Sequence, residues 1–100
     1  MVIVAPNGEF MPVTPMEGTI VVNIGDLMQR LTADKLKATV HRVILPDTEK
    51  GKACCRQSVA LFVDPDDEVV IECLDGSSKY KPVTSYDYVR DRLRATYQPA

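Results

Sequence analysis

The sequence has no tryptophan, one histidine, two phenylalanines and three cysteines in 100 residues. A single histidine, His41, excludes the paired H-x-x-x-H spacing, and Cys54, Cys55 and Cys73 offer no C-x-x-C pair, so a structural zinc site is not expected. Adjacent cysteines do not form a relaxed disulfide with each other, and an odd count leaves one thiol over. Reduced thiols and a cytoplasmic location are the simple expectation. Charge of neither sign dominates: 12 Lys and Arg against 14 Asp and Glu give a net charge of -2. That balance supplies no electrostatic case for nucleic acid or an anionic membrane. Arg90, Arg92 and Arg94 do cluster near the end, but three arginines on a helix usually form a solvated face. No apolar run approaches the ~20 residues of a bilayer span. The first basic residue is Arg30, so no signal peptide is expected.

What is present is enough apolar side chain, 45%, for one small domain spanning 1–100. Met1 to Ala5 reads as a strand, Pro6-Asn7-Gly8 as a hairpin turn and Phe10 to Val13 as the returning strand. Pro12 and Pro15 cannot donate to a ladder, which places that hairpin at a sheet edge. Gly18 to Ile24 is β-branched and apolar, and predicts a buried strand. Gly25 and Asp26 then open a short helix, 26–31, with an Asp26–Arg30 pair at i,i+4. Strands are further predicted over Thr39 to Leu45, Arg56 to Phe62 and Glu68 to Leu74. The acids Asp64, Asp66, Asp67 and Glu68 lack the spacing of a calcium loop and read as a surface turn. Thr84 with Asp87 three residues on is an acidic variant of the capping box. It opens an amphipathic helix, 85–97, whose apolar stripe is Tyr86, Val89, Leu93 and Tyr97. The fold class expected is mainly β, a jelly-roll type sheet pair with a helical tail.

The chemistry concentrates in two of these strands. Alternation puts Thr39, His41 and Val43 on one face, and Arg56, Ser58, Ala60 and Phe62 on one face of the other strand. If those faces meet, an imidazole, a guanidinium and a hydroxyl line one apolar-walled space. Each residue also has a plainer reading. A lone histidine among β-branched neighbours is more often a hydrogen-bonded core residue than a ligand. An arginine on an apolar strand needs an anion, either an internal acid such as Asp26 or Glu72 or a bound carboxylate. Residue chemistry by itself does not choose between them.

The motifs in order do discriminate. Gly18-Thr-Ile-Val-Val-Asn-Ile-Gly-Asp-Leu-Met-Gln-Arg-Leu-Thr32, Lys37-Ala-Thr-Val-His-Arg-Val43 and Arg56-Gln-Ser58 resemble the C-terminal portion of Fe(II)/2-oxoglutarate-dependent dioxygenases of the isopenicillin N synthase-like branch. The resemblance continues through Phe62-Val-Asp-Pro65, Val69-Val-Ile-Glu72, Lys79-Tyr-Lys-Pro-Val-Thr84 and Arg92-Leu-Arg-Ala-Thr-Tyr97. It implies part of a double-stranded β-helix (a jelly roll), with Fe(II) and 2-oxoglutarate as cofactor and cosubstrate. It also implies ascorbate as the reductant that keeps the iron ferrous. His41 falls on the distal histidine of a two-histidine, one-carboxylate metal site. Arg56 and Ser58 fall on the R-x-S pair that holds the distal carboxylate of 2-oxoglutarate, and Phe62 on a substrate-side position. The implied partners are a small organic substrate and O2, with neither nucleic acid nor membrane. The His-x-Asp pair that completes the iron site in relatives has no counterpart here, since His41 is the only histidine. The chain is therefore expected to be a fragment of such an enzyme. The alternative is a catalytically inactive jelly-roll remnant serving as an interaction or 2-oxoglutarate-binding module. Uncovered sheet edges make a homo-oligomer a further expectation.

Overall fold

The computed structural model describes residues 1–44, 55 and 57–97. The chain divides into two compact units, one of Met1–Asn23 with Thr39–Leu61 and one of Ile24–Ala38 with Phe62–Ala100.

The first unit is built on a three-stranded antiparallel sheet in the order β2-β1-β3, with β1 at Val2–Val4, β2 at Phe10–Pro12 and β3 at His41–Arg42. The predicted hairpin forms. Gly8 takes a φ of 84°, and its N–H closes the turn on the Ala5 carbonyl at 2.8 Å. The turn needs a positive φ here, which a Cβ disfavours, so glycine turns the chain without strain. Asn7 adds a local clasp, accepting from the Glu9 N–H at 3.1 Å and donating to the Glu9 carboxylate at 2.8 Å. Among the described residues β2 is an edge strand, consistent with Pro12 opposite Val2. β3 pairs with β1 so that Val2 faces Arg42 and Ile3 faces His41. Among the described residues of this unit, the buried apolar one is Val2, 6% exposed.

Two predicted strands of this region are absent among the described residues. Gly18 to Ile24 carries no strand, and Ile20 and Val22 are 87% and 81% exposed, against the expectation of burial. Residues 57–62 likewise carry none, with Val59 and Leu61 fully or nearly fully exposed. β-branched composition favours extended backbone, but a strand needs a neighbour to receive its ladder bonds. Of Thr39 to Leu45, His41–Arg42 is paired, and Leu45 lies outside the described residues.

The second unit holds the rest. Helix α1, Asp26–Leu31, and helix α2, Ser85–Tyr97, match the predicted bounds. Between them β4, Val70–Ile71, pairs antiparallel with β5, Val83–Thr84. Ile71 and Cys73 are its buried apolar residues. Thr84 caps α2 as the sequence predicts: its Oγ1 accepts from the Asp87 N–H at 3.1 Å and donates to the Asp87 carboxylate at 2.9 Å. Ser85, 2% exposed, is satisfied by donating its N–H to Val69 O at 2.9 Å and its hydroxyl to Pro65 O at 3.2 Å.

Past the end of α1, Ala33 and Asp34 adopt φ values of 49° and 68°. Left-handed non-glycine residues are unfavourable, and Asp is among the types that tolerate it. The turn is held by its bonds: Asp34 N–H to Gln29 O at 3.0 Å, and Leu74 N–H to Leu31 O at 2.9 Å. The Asp34 carboxylate then gathers Gln29 Nε2 at 2.9 Å, the Tyr80 hydroxyl at 2.5 Å and the Lys79 ammonium at 2.5 Å. Lys79 first, then Tyr80 and Gln29, hold its carboxyl well below the usual carboxylate range. In return Asp34 raises the pKa of Lys79 and of Tyr80.

The expected Asp26–Arg30 pair does not form. Asp26 instead accepts from Arg92 at 2.9 Å and from the Tyr88 hydroxyl at 3.3 Å on α2. Arg30 donates to Lys81 O at 2.9 Å and stacks on the rings of Tyr80 and Tyr88, at 4.8 and 5.2 Å. An exposed i,i+4 pair on a helix contributes only ~0.2–0.5 kcal/mol, so bonds between elements displace it. No helix among the described residues is long and apolar enough to cross a membrane.

Two outcomes follow. Thr84→Ala should destabilise the chain by about 1 kcal/mol through loss of the α2 cap, read as a lowered urea midpoint and reduced helicity by circular dichroism. Asp34 has a depressed folded pKa, so its contribution is full above the unfolded value of about 4 and is lost as pH falls toward the folded one. Asp34→Asn should therefore lower the urea midpoint at neutral pH and flatten its decline on acidification. Equal acid sensitivity in the two proteins would show that Asp34 does not govern that limb.

Candidate functional site

His41 sits in β3, and register determines its face. It stands opposite Ile3, which also faces Met11, while Arg42 shares the other face with Val2 and Val4. Arg42 is accounted for there: its guanidinium lies 3.9 Å from the centroid of Phe10 across the sheet, a cation–π contact. His41 is exposed, and its Nδ1 lies 2.9 Å from the Thr39 carbonyl. A carbonyl only accepts, so this bond is made by the tautomer with the proton on Nδ1, leaving a lone pair on Nε2. An imidazole anchored through Nδ1–H and open at Nε2 has the form a metal ligand takes.

Ser58 and Phe62 are exposed, Phe62 at 83%, and neither lies in a strand. Arg56 lies outside the described residues. His41, Ser58 and Phe62 are thus each open to solvent. His41 and Ser58 belong to the first unit and Phe62 to the second. Among the described residues, no group of three His, Cys, Asp or Glu side chains is placed to hold a metal ion. With one imidazole in the whole sequence, a three-ligand iron site does not fit this chain by itself.

The second unit contains concave surface that residue motifs did not announce. A groove of about 570 Å³ is lined by the 64–67 turn and α2, with Pro65, Tyr86, Val89, Leu93 and Tyr97 among its walls. A second cleft, of about 530 Å³, is formed along residues 72–82 and includes Cys73 and Tyr80. Within this unit Tyr88 has a raised pKa, chiefly from burial and then from the Asp26 carboxylate beside it. Cys73, buried, points its thiol at Arg30 O, 3.5 Å away, and is a packed residue of the α1 terminus. The signal for the groove lies in the i, i+3, i+7, i+11 stripe of α2, which the sequence assigned to packing on the sheet. Tyr86 and Leu93 are instead half exposed, and Tyr97 is 82% exposed.

Comparison with known proteins extends the motif resemblance. The chain is 35% identical over 99 residues to the 2-oxoglutarate-Fe(II) type oxidoreductase hxnY of Emericella nidulans, covering 93% of this chain and 27% of that protein. It is 35% identical over 97 residues to the 2-oxoglutarate-Fe(II) type oxidoreductase ppzD of Metarhizium majus, covering 90% and 28%. It is 36% identical over 99 residues to the proline hydroxylase buaE of Petromyces alliaceus, covering 90% and 31%. The chain therefore spans less than a third of the length of these relatives. No solved structure gives a significant match. The 2OG-Fe(II) oxygenase superfamily matches residues 2–65, the stretch that contains His41, Arg56 and Ser58. On that match and those identities, the chain belongs to the 2OG-Fe(II) oxygenase superfamily, whose members use Fe(II) and 2-oxoglutarate.

Proposed function

We propose that this chain serves as the C-terminal part of an iron- and 2-oxoglutarate-dependent dioxygenase acting on a small organic substrate with O2, and that its own share is to seat the cosubstrate. The observation that supports this reading is the family match over 2–65, a stretch that contains His41, Arg56 and Ser58. In this reading the chain forms part of a double-stranded β-helix. His41 supplies one imidazole through Nε2, and the other metal ligands come from outside this sequence.

The residues present suit a carboxylate. Arg56 and Ser58 are two positions apart, so in an extended chain they project to the same side. A guanidinium fork grips a carboxylate through two parallel bonds, and a serine hydroxyl adds one more donor. Phe62, four further along, is assigned to the substrate side. The single imidazole leaves iron binding by this chain weak. A second reading is favoured by the same ligand shortage: a catalytically inactive module that binds 2-oxoglutarate without the metal.

Titration of 2-oxoglutarate into the iron-free chain, by calorimetry, tests the seat directly. Arg56→Gln should weaken binding by about 2–5 kcal/mol, roughly thirty-fold to several thousand-fold. Arg56→Lys should not restore it, because an ammonium lacks the fork. Ser58→Ala should weaken it less, by about 1 kcal/mol, the worth of one hydrogen bond. Unchanged affinity in Arg56→Gln would assign the arginine to an internal ion pair and overturn the seat. A parallel Fe(II) titration should show no tight binding, because one imidazole is a weak site in either reading, and tight binding would overturn both.

A further inference from the structure

The groove along α2 is self-complementary, and we propose that it is the contact through which two copies of this chain associate as an antiparallel, two-fold dimer. The proposal stands apart from the cosubstrate reading and rests on how apolar side chains and charges are laid out along one helix.

The apolar stripe Tyr86, Val89, Leu93 and Tyr97 runs the length of α2, a helix of 13 residues. Its large members are uncovered: Tyr86 is 51% exposed, Leu93 54% and Tyr97 82%. Spacings of three, four and four residues keep one seam facing outward. The midpoint of the stripe falls between Val89 and Leu93. A two-fold axis there lays Val89 on the partner's Leu93 and Tyr86 on the partner's Tyr97. An isologous contact needs this kind of reciprocity, each patch meeting its own copy.

Charge gives the direction. The acidic turn lies at the helix N-terminus, where the Asp67 carbonyl accepts the Tyr86 N–H at 3.1 Å. Asp64, three residues before Asp67 in the same turn, also lines the groove. Arg94 lines it eight positions beyond Tyr86, about 12 Å along the axis at roughly 1.5 Å per residue. Among the described residues Asp64, Asp67 and Arg94 have no ion pair. The neighbouring arginines are engaged, Arg90 with Asp87 at 3.0 Å and Arg92 with Asp26 at 2.9 Å. Within one copy Arg94 makes no ion pair with the acidic turn. In an antiparallel pair it arrives beside the partner's acidic turn, twice, once from each copy. Parallel pairing would instead set acid on acid and arginine on arginine. The helix macrodipoles also favour the antiparallel sense.

The expected behaviour of the chain is a reversible monomer–dimer equilibrium, with a dissociation constant on the order of micromolar because one helix face is a small interface. Sedimentation equilibrium measures it, with circular dichroism to show that each variant keeps its helix. Leu93→Asp should abolish association. Arg94→Glu and Asp67→Lys should each weaken it on the order of ten-fold, since either variant places like charges together at both ends. An equimolar mixture of Arg94→Glu and Asp67→Lys should restore association, because in the mixed dimer both ends regain opposite charges. The restored signal is one that misfolding of either variant would not produce. A monomer at all concentrations overturns the proposal. So does association that neither charge reversal weakens, as sheet-edge pairing would give, and so does a mixture that stays as weak as its components.

Discussion

The Asp34 carboxylate is the point on which the second unit depends. It lies in a left-handed turn at the end of α1 and collects donors from Gln29 on the helix and from Lys79 and Tyr80, more than forty residues along the chain. A left-handed aspartate is unfavourable in isolation and persists where its bonds over-determine it. Those bonds bring Tyr80 to the flank of α1, where its ring receives the Arg30 guanidinium. Arg30 in turn reaches Tyr88 on α2, and Asp26 one turn earlier receives Arg92 from the same helix. Polar and cation–π contacts thus join the two helices, with Ile71 and Cys73 as the buried apolar residues between.

The first unit has a different balance. Its sheet is correctly registered and its turn is satisfied, yet Val2 is its buried apolar residue. Ile20, Val22, Val59 and Leu61, β-branched or apolar and chemically suited to a core, stand in solvent. Burial of such a side chain is worth about 1.5–3 kcal/mol, and here that stabilisation is not collected. Small domains depend heavily on such burial. The relatives matched by this chain are more than three times its length.

His41 belongs to the part of this unit that is well determined. Its pairing with Ile3 fixes which face of the sheet it occupies, and the Thr39 carbonyl fixes its tautomer. A one-residue slip of β3 would exchange His41 and Arg42 between faces. Arg42 opposes that slip, because its contact with Phe10 exists only in the observed register. The histidine's orientation is thereby secured from the opposite side of the sheet.

Local features of this protein were legible in the sequence because local physics decides them. Asp26–Leu31 and Ser85–Tyr97 are helices within the bounds that periodicity, Gly25 and the Thr84–Asp87 box predict. The 6–8 turn follows from asparagine and glycine, and the edge position of β2 from Pro12. Family membership was legible too, since motif order survives without coordinates. Legibility ended where a residue's partner is distant in sequence. Gly18 to Ile24 has strand composition and no strand, for β propensity becomes structure only when a neighbour takes the ladder bonds. Asp26 and Arg30, four apart and opposite in charge, are not each other's partners, since Arg92, Lys81, Tyr80 and Tyr88 hold them. The α2 stripe was recognisable as apolar, but its exposure was not. Helix and cap are settled within a few residues, whereas pairing, burial and ion-pair choice are settled by which distant groups the fold brings within a few ångströms.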